Sequence, residues 1–145
     1  MRSGITLVEM LIVVAIVGLL AGITFPSVSA GLDSLRLTTA GDSLVSLFNA
    51  ALNRAERRQQ VVEVAISRNL VTLRSTEPGF SRALELPDGV SITAIHPEGQ
   101  QRFLLFPGGS VPRVAVELSN RRGARRLVSL NPITGVPQVE RIETK

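Results

Sequence analysis

From Ile5 to Phe25 the chain is apolar apart from Glu9 and two threonines, Thr6 and Thr24. At 1.5 Å rise per residue a helix of these residues is about 30 Å long, the thickness of a bilayer's hydrocarbon core. One carboxylate interrupts the run. Placing a charge well inside a bilayer costs about 2.5 to 3.5 kcal/mol, so Glu9 needs a partner or a place near an interface. Two readings fit its position. It either answers a charge on another chain, or lies within the first helical turn, where the dipole favours an acid and headgroup water is in reach.

The residues in front of the run separate these readings. Met1-Arg2-Ser3-Gly4 is a short leader with one positive charge, followed directly by Ile5-Thr6-Leu7-Val8-Glu9-Met10-Leu11. This resembles the processing site of type IV pilins and pseudopilins. The resemblance implies that a prepilin peptidase cuts between Gly4 and Ile5, that Ile5 is N-methylated, and that Glu9 is the family's assembly glutamate. The family usually has Phe after the Gly, and Ile5 departs from it. A physical rationale stands beside the resemblance: in a filament core with little water, the carboxylate of one subunit can neutralise the N-terminal amine of its neighbour. Such pairing also sets axial register, because a one-turn slip leaves two charges unmatched.

Beyond the anchor there is enough chain for one hydrophobic core and no second domain. With no cysteine there is no disulfide framework and no thiolate metal site, so an exported domain must hold through packing alone. The net charge of +4 is modest, and Lys145 is the only lysine. Arginine excess suits phosphate recognition but more often reflects coding bias.

Pro26 follows the apolar run, where it would kink or end a helix. A secretory signal peptide cut after Val28-Ser29-Ala30 is the competing reading of this region. Against it stand Glu9 near the front of the run and the pattern that follows: Leu32, Leu35, Thr39 or Ala40, Leu44, Leu47, Phe48, Ala51, Leu52 and Ala55 at spacings of three and four. Asp33, Arg36, Asp42, Ser46, Asn49, Asn53 and Arg57 lie largely opposite. An amphipathic helix over 26–60, ending near Arg58, is predicted, with Gly41 weakening it by about 1 kcal/mol relative to Ala. Its apolar face requires a sheet packed upon it.

After Gln60 the period falls to two. Val61 to Ser67 and Leu70 to Ser75 read as a hairpin turning at Ser67-Arg68-Asn69. Further strands are predicted at Leu84 to Leu86, Val90 to Ile95, Arg102 to Phe106, Arg113 to Ser119, Ala124 to Asn131 and Val136 to Ile142. Turn residues at Glu77-Pro78-Gly79, Pro87-Asp88-Gly89, Pro107-Gly108-Gly109, Asn120 to Gly123 and Pro132 to Gly135 separate them. The fold class is α+β: a long N-terminal helix, half membrane anchor and half amphipathic, packed on a small antiparallel β-sandwich over 61–145.

This order of elements resembles the minor pseudopilins of the GspH/FimT family. Leu52-Asn53-Arg54-Ala55-Glu56-Arg57-Arg58 running into Val61 to Ile66 is similar to the family's helix-to-strand junction. Phe106-Pro107-Gly108-Gly109-Ser110, and Val128-Ser129-Leu130-Asn131 with Thr134-Gly135, are similar to its late strands.

Catalytic chemistry has little to draw on. His96 is the only histidine, and His96-Pro97-Glu98-Gly99 reads as a loop after a strand. Gly108-Gly109 lacks the strand, helix and lysine of a phosphate loop. The expectation is a chain that is not an enzyme and needs no metal or cofactor. One cluster could bind nucleic acid: Arg121, Arg122, Arg125 and Arg126 flank Gly123 on one hairpin tip, and four guanidiniums could neutralise DNA phosphates. Some FimT-like pilins bind DNA through a Gly-Arg-x-Arg motif near the C-terminus. Here Thr134-Gly135-Val136-Pro137-Gln138 lacks those arginines, so that carry-over fails. No aromatic residue is interleaved to stack on bases.

The first reading is therefore a minor pseudopilin of type II secretion, single-pass in the bacterial inner membrane through 5–25, with its β domain in the periplasm. The partners implied are membrane lipid, prepilin peptidase, other pseudopilins or pilins, and an inner-membrane assembly platform. A FimT-like minor pilin of a type IV pilus, with DNA as a partner, is the second reading. A Sec-cleaved soluble periplasmic β protein is the third.

Overall fold

The computed structural model describes residues 6–76 and 79–142. Its single helix, α1, spans Leu7–Arg58, 52 residues. Thr6 starts it: the Thr6 carbonyl accepts from Met10 N at 3.2 Å, and its hydroxyl accepts from Glu9 N at 3.3 Å. That is the backbone half of a capping box, Thr-x-x-Glu, and it satisfies one of the amides a helix start leaves unpaired. At the other end Gln59 takes φ 51° and Gln60 N bonds back to Ala55 O at 3.2 Å. This six-to-one closure stops the helix without the usual glycine.

The kink or stop expected at Pro26 does not occur as a break, since α1 runs through it. Proline lacks the amide that would bond four residues back, so the neighbourhood must absorb one free carbonyl. Hydroxyls fold back onto the helix on either side of it: Thr24 Oγ1 donates to Leu20 O at 2.7 Å and Ser27 Oγ to Ile23 O at 3.5 Å. These bonds fall on Leu20 O and Ile23 O, beside the Gly22 carbonyl that Pro26 leaves without an amide donor.

The chain divides into two compact units, Met1–Leu32 and Asp33–Lys145. In the second, the buried face of α1 is Leu37, Ala40, Gly41, Leu44, Leu47, Phe48, Ala51 and Ala55. This stripe has the three-and-four spacing of an amphipathic helix, but it begins at Leu37. Leu32 and Leu35, expected on the same face, are 48% and 62% exposed.

Eight strands follow: β1 (Val62–Ile66), β2 (Leu70–Ser75), β3 (Ser81–Glu85), β4 (Val90–His96), β5 (Arg102–Leu105), β6 (Ala115–Asn120), β7 (Arg125–Leu130) and β8 (Pro137–Ile142). They form two four-stranded antiparallel sheets, ordered β3-β2-β1-β5 and β4-β6-β7-β8. Because β4 joins the second sheet while its neighbours in sequence, β3 and β5, edge the first, the chain crosses between sheets three times, at β3–β4, β4–β5 and β5–β6. The expected β1–β2 hairpin is present, with Ile66 opposite Val71. The strand expected at Leu84 starts earlier, at Ser81, because β3 is an exposed edge whose side chains carry almost no burial pattern.

Alternation does the packing. β1 buries Val62, Val64 and Ile66; β6 buries Val116, Leu118 and Asn120. The apolar ones among these join the side chains of the helix stripe, Leu73, Phe103, Val114 and Val128 in one hydrophobic cluster. Phe48 and Phe103 meet there with ring centroids 6.2 Å apart and planes tilted by 55°, inside the favourable range for aromatic pairs. Each fully buried side chain of this size contributes about 1.5 to 3 kcal/mol.

Candidate assembly site

Every described side chain from Thr6 to Phe25 is exposed. Leu7 is 78% exposed, Leu19 68% and Phe25 81%, and the most apolar 18-residue window has a mean hydropathy of 2.6 with none of it buried. This is one helix near the N-terminus that is long and apolar enough to cross a membrane. The exposed apolar residues continue past it, through Val28, Leu32 and Leu35, at steps of four and three along one face. A surface of that kind requires lipid or protein to cover it.

Glu9 sits on the first turn of this helix and is exposed. Its amide is committed to Thr6 Oγ1, yet among the described residues no donor or cation meets its carboxylate. The backbone N–H serves the cap, and the side chain meets no partner among the described residues. Gly4 and Ile5, the expected cleavage and methylation positions, lie outside the described residues.

A second feature of this segment escaped the residue-type search. Gly18 and Gly22 are four apart, and a Cβ added at either would meet nothing within 4 Å. No contact within the chain therefore requires glycine there. Gly-x-x-x-Gly in an apolar helix permits close approach of another helix, and the spacing was legible without coordinates.

The arginine cluster is built differently from the open hairpin tip expected. Asn120, the buried polar residue at the end of β6, accepts from Arg122 N and Ala124 N, both at 3.0 Å, and donates from Nδ2 to Asp33 O at 3.4 Å. That side chain folds the turn and ties it to α1. Arg122 Nε donates to Asp33 Oδ2 at 3.1 Å, and Arg126 Nη2 to Thr38 Oγ1 at 2.9 Å. Arg125 pairs with Glu117 at 3.1 Å. Arg121 lies beside Gly89, where an added Cβ would come within 3.0 Å of its Nε. Three of the four guanidiniums thus have acceptors inside the domain, and two of these are carboxylates. Sequence spacing could not reveal this, because Asp33 and Arg122 are 89 positions apart.

His96 ends β4 and is exposed. Among the described residues no group of three or more metal-binding side chains converges.

Compared with known proteins, residues 1–25 match the model of the prokaryotic N-terminal methylation motif. The matched stretch covers the leader and the apolar run and stops before the packed half of α1. No curated protein and no solved structure matches the chain.

Proposed function

We propose that the chain, which carries the N-terminal motif of prepilin-type, type IV pilin-like proteins, is a minor pseudopilin of a type II secretion system. Prepilin peptidase removes residues 1–4, Ile5 is N-methylated, and residues 5–25 hold the protein in the inner membrane until assembly. The observation that carries this reading is the coincidence of the methylation motif with an uncovered apolar helix whose acid meets no partner among the described residues. In a filament the neighbouring helices cover that surface, and the freed amine of an adjoining subunit meets Glu9. A single-pass anchor needs neither an unpaired acid nor apolar exposure continuing to Leu35.

Assembly in the full-length protein, expressed with the other components of its system, tests the proposal. Glu9→Ala should insert into membranes normally and be missing from the sheared filament fraction, whereas Glu9→Gln separates charge from shape. Filaments that incorporate Glu9→Ala at wild-type level would remove the role assigned to this residue.

A DNA-binding pilus subunit is favoured by the clustering of Arg121, Arg122, Arg125 and Arg126 about one turn. DNA would have to compete there with Asp33 and Glu117. Retention on DNA that disappears when all four become Gln would move the assignment from secretion to the pilus.

A further inference from the structure

The edges of the two sheets are not equally closed. At β4 the register shifts between Ile92 and Ala94, and Ile92 N donates to Arg68 O at 2.8 Å. At β8, Val136 O accepts from Asn131 N, so the backbone groups of Pro137, Val139 and Arg141 face outward, and proline has no N–H to offer. Both devices blunt an edge. The first sheet has neither. Leu86 N bonds to Asn69 O and Ser75 N to Phe80 O, which turns the amides and carbonyls of Ser81, Ala83 and Glu85 away from β2. On the far side Ile66 N bonds to Gln101 O, so those of Arg102 and Leu104 face away from β1. Among the described residues nothing bonds to these outward groups, and all of these residues are exposed.

We propose that the two open edges join, β3 of one copy of this chain pairing with β5 of the next and carrying the first sheet from copy to copy. Strand direction favours this over any self-pairing. The sheet is antiparallel at every step from β3 through β2 and β1 to β5, so its two edge strands run in opposite directions. Copies set side by side in one orientation therefore meet as antiparallel strands with their α1 helices parallel, as anchors entering one membrane require. Pairing β3 with itself needs a two-fold axis normal to the sheet, which reverses the helix packed on it.

Side chains select the register. With Ala83 opposite Leu104, Glu85 stands opposite Arg102, and each pair exchanges two N–H···O bonds. Arg102 reaches Glu63 of its own sheet only at 3.8 Å and is 78% exposed, so it has room for a second carboxylate. The small Ala83 lets the strands approach and gives cover to the exposed Leu104. A slip of two residues sets Arg102 against Ala83 or Pro87 and loses the ion pair. Two short edges bury little area, so the contact is weak in free solution; anchors that hold copies in one plane raise their effective concentration. The proposal needs only anchored copies side by side and does not rest on the secretion reading.

The chain has no cysteine, so disulfide trapping reads the contact directly. Full-length copies with Ala83→Cys and differently tagged copies with Leu104→Cys are expressed together, without other components of the system, and oxidised in membranes. Residues opposed in this way lie about 5.5 Å apart at Cα, within the span of a disulfide. Because both sites are exposed, the variants keep the fold. A mixed dimer is expected, about tenfold above the yield of Ala83→Cys with Gln138→Cys, and neither variant alone should exceed that background. A chain with both substitutions should form a series of larger multiples. Glu85→Arg should lower the yield about two- to fivefold, and Arg102→Glu in the second copy should restore it. Dimers from Ala83→Cys alone would assign the edge to two-fold pairing, and a mixture no better than the Gln138→Cys control would leave both edges to other chains. Either result overturns the proposal.

Discussion

The two halves of α1 both present apolar side chains and are opposite in what covers them. Between Leu7 and Leu32 the large side chains are exposed, Ile23 by 66% and Val28 by 56%. Between Asp33 and Arg58 the apolar stripe is closed by two sheets, and Leu44 and Phe48 are fully buried. One helix thus contains a segment that the chain folds around and a segment that it leaves for other molecules. Residue pattern marks the two halves, one a nearly unbroken apolar run and the other amphipathic. Polar partners fix the covered one in place: Asp33 and Thr38 meet Arg122 and Arg126 where it begins. The anchor half turns hydroxyls back on its own backbone, as at Thr24 and Ser27.

Truncation in each half gives the largest contrast. Phe48→Ala removes a buried ring and should destabilise the folded unit by about 3 to 5 kcal/mol in chemical denaturation. Leu19→Ala should leave the same transition unchanged within error. A transition that moves equally for both would show that the halves are not energetically separate.

Asn120→Ala comes next. Two backbone amides lose their acceptor and Asp33 O loses a donor, which should cost about 1 to 3 kcal/mol. Hydrogen exchange should rise first at Arg122 and Ala124, and protection that stays intact there would mean the turn is held by its ion pairs alone. Those pairs are partly exposed, so Asp33→Asn should cost less, about 0.2 to 1 kcal/mol and more at low salt.

The smallest contrast is at glycine. A Cβ at Gly41 would meet Val139 at 3.7 Å and Arg126 at 3.8 Å, both ordinary contacts. Gly41→Ala should therefore stabilise the domain by about 0.5 to 1 kcal/mol through helix propensity. Gly18→Ala should leave domain stability unchanged and weaken helix association, read by cross-linking in membranes. Association that survives a bulkier Gly18→Leu would dismiss the close-approach role of this face.

How far these contrasts could be read without coordinates depends on the range of the forces involved. The period change after Gln60, the β1–β2 hairpin and the turns at Asn120 and Pro132 are local, set by alternation and turn chemistry, and they were legible. So was most of the covered stripe of α1, from Ala40 to Ala55; where it begins was not, since Leu35 and Leu37 sit on different faces and only the sheets decide between them. The passage of α1 through Pro26 was not legible either, because proline after an apolar run can kink a helix, end it or be carried through. Sheet order and the ties of Asn120 to Asp33 join residues far apart in the chain, beyond the reach of any spacing rule. Of the assembly site, Glu9 was legible as an anomaly in an apolar run; that its amide is capped while its carboxylate is unmet required geometry.

The central claim is that the uncovered half of α1 stays with the mature protein because other helices are to cover it. Intact mass together with N-terminal sequencing of the protein recovered from membranes tests it directly. The account requires a chain beginning at Ile5 with one added methyl on its amine. A chain beginning at Gly31, released as the β domain without its apolar half, would contradict it.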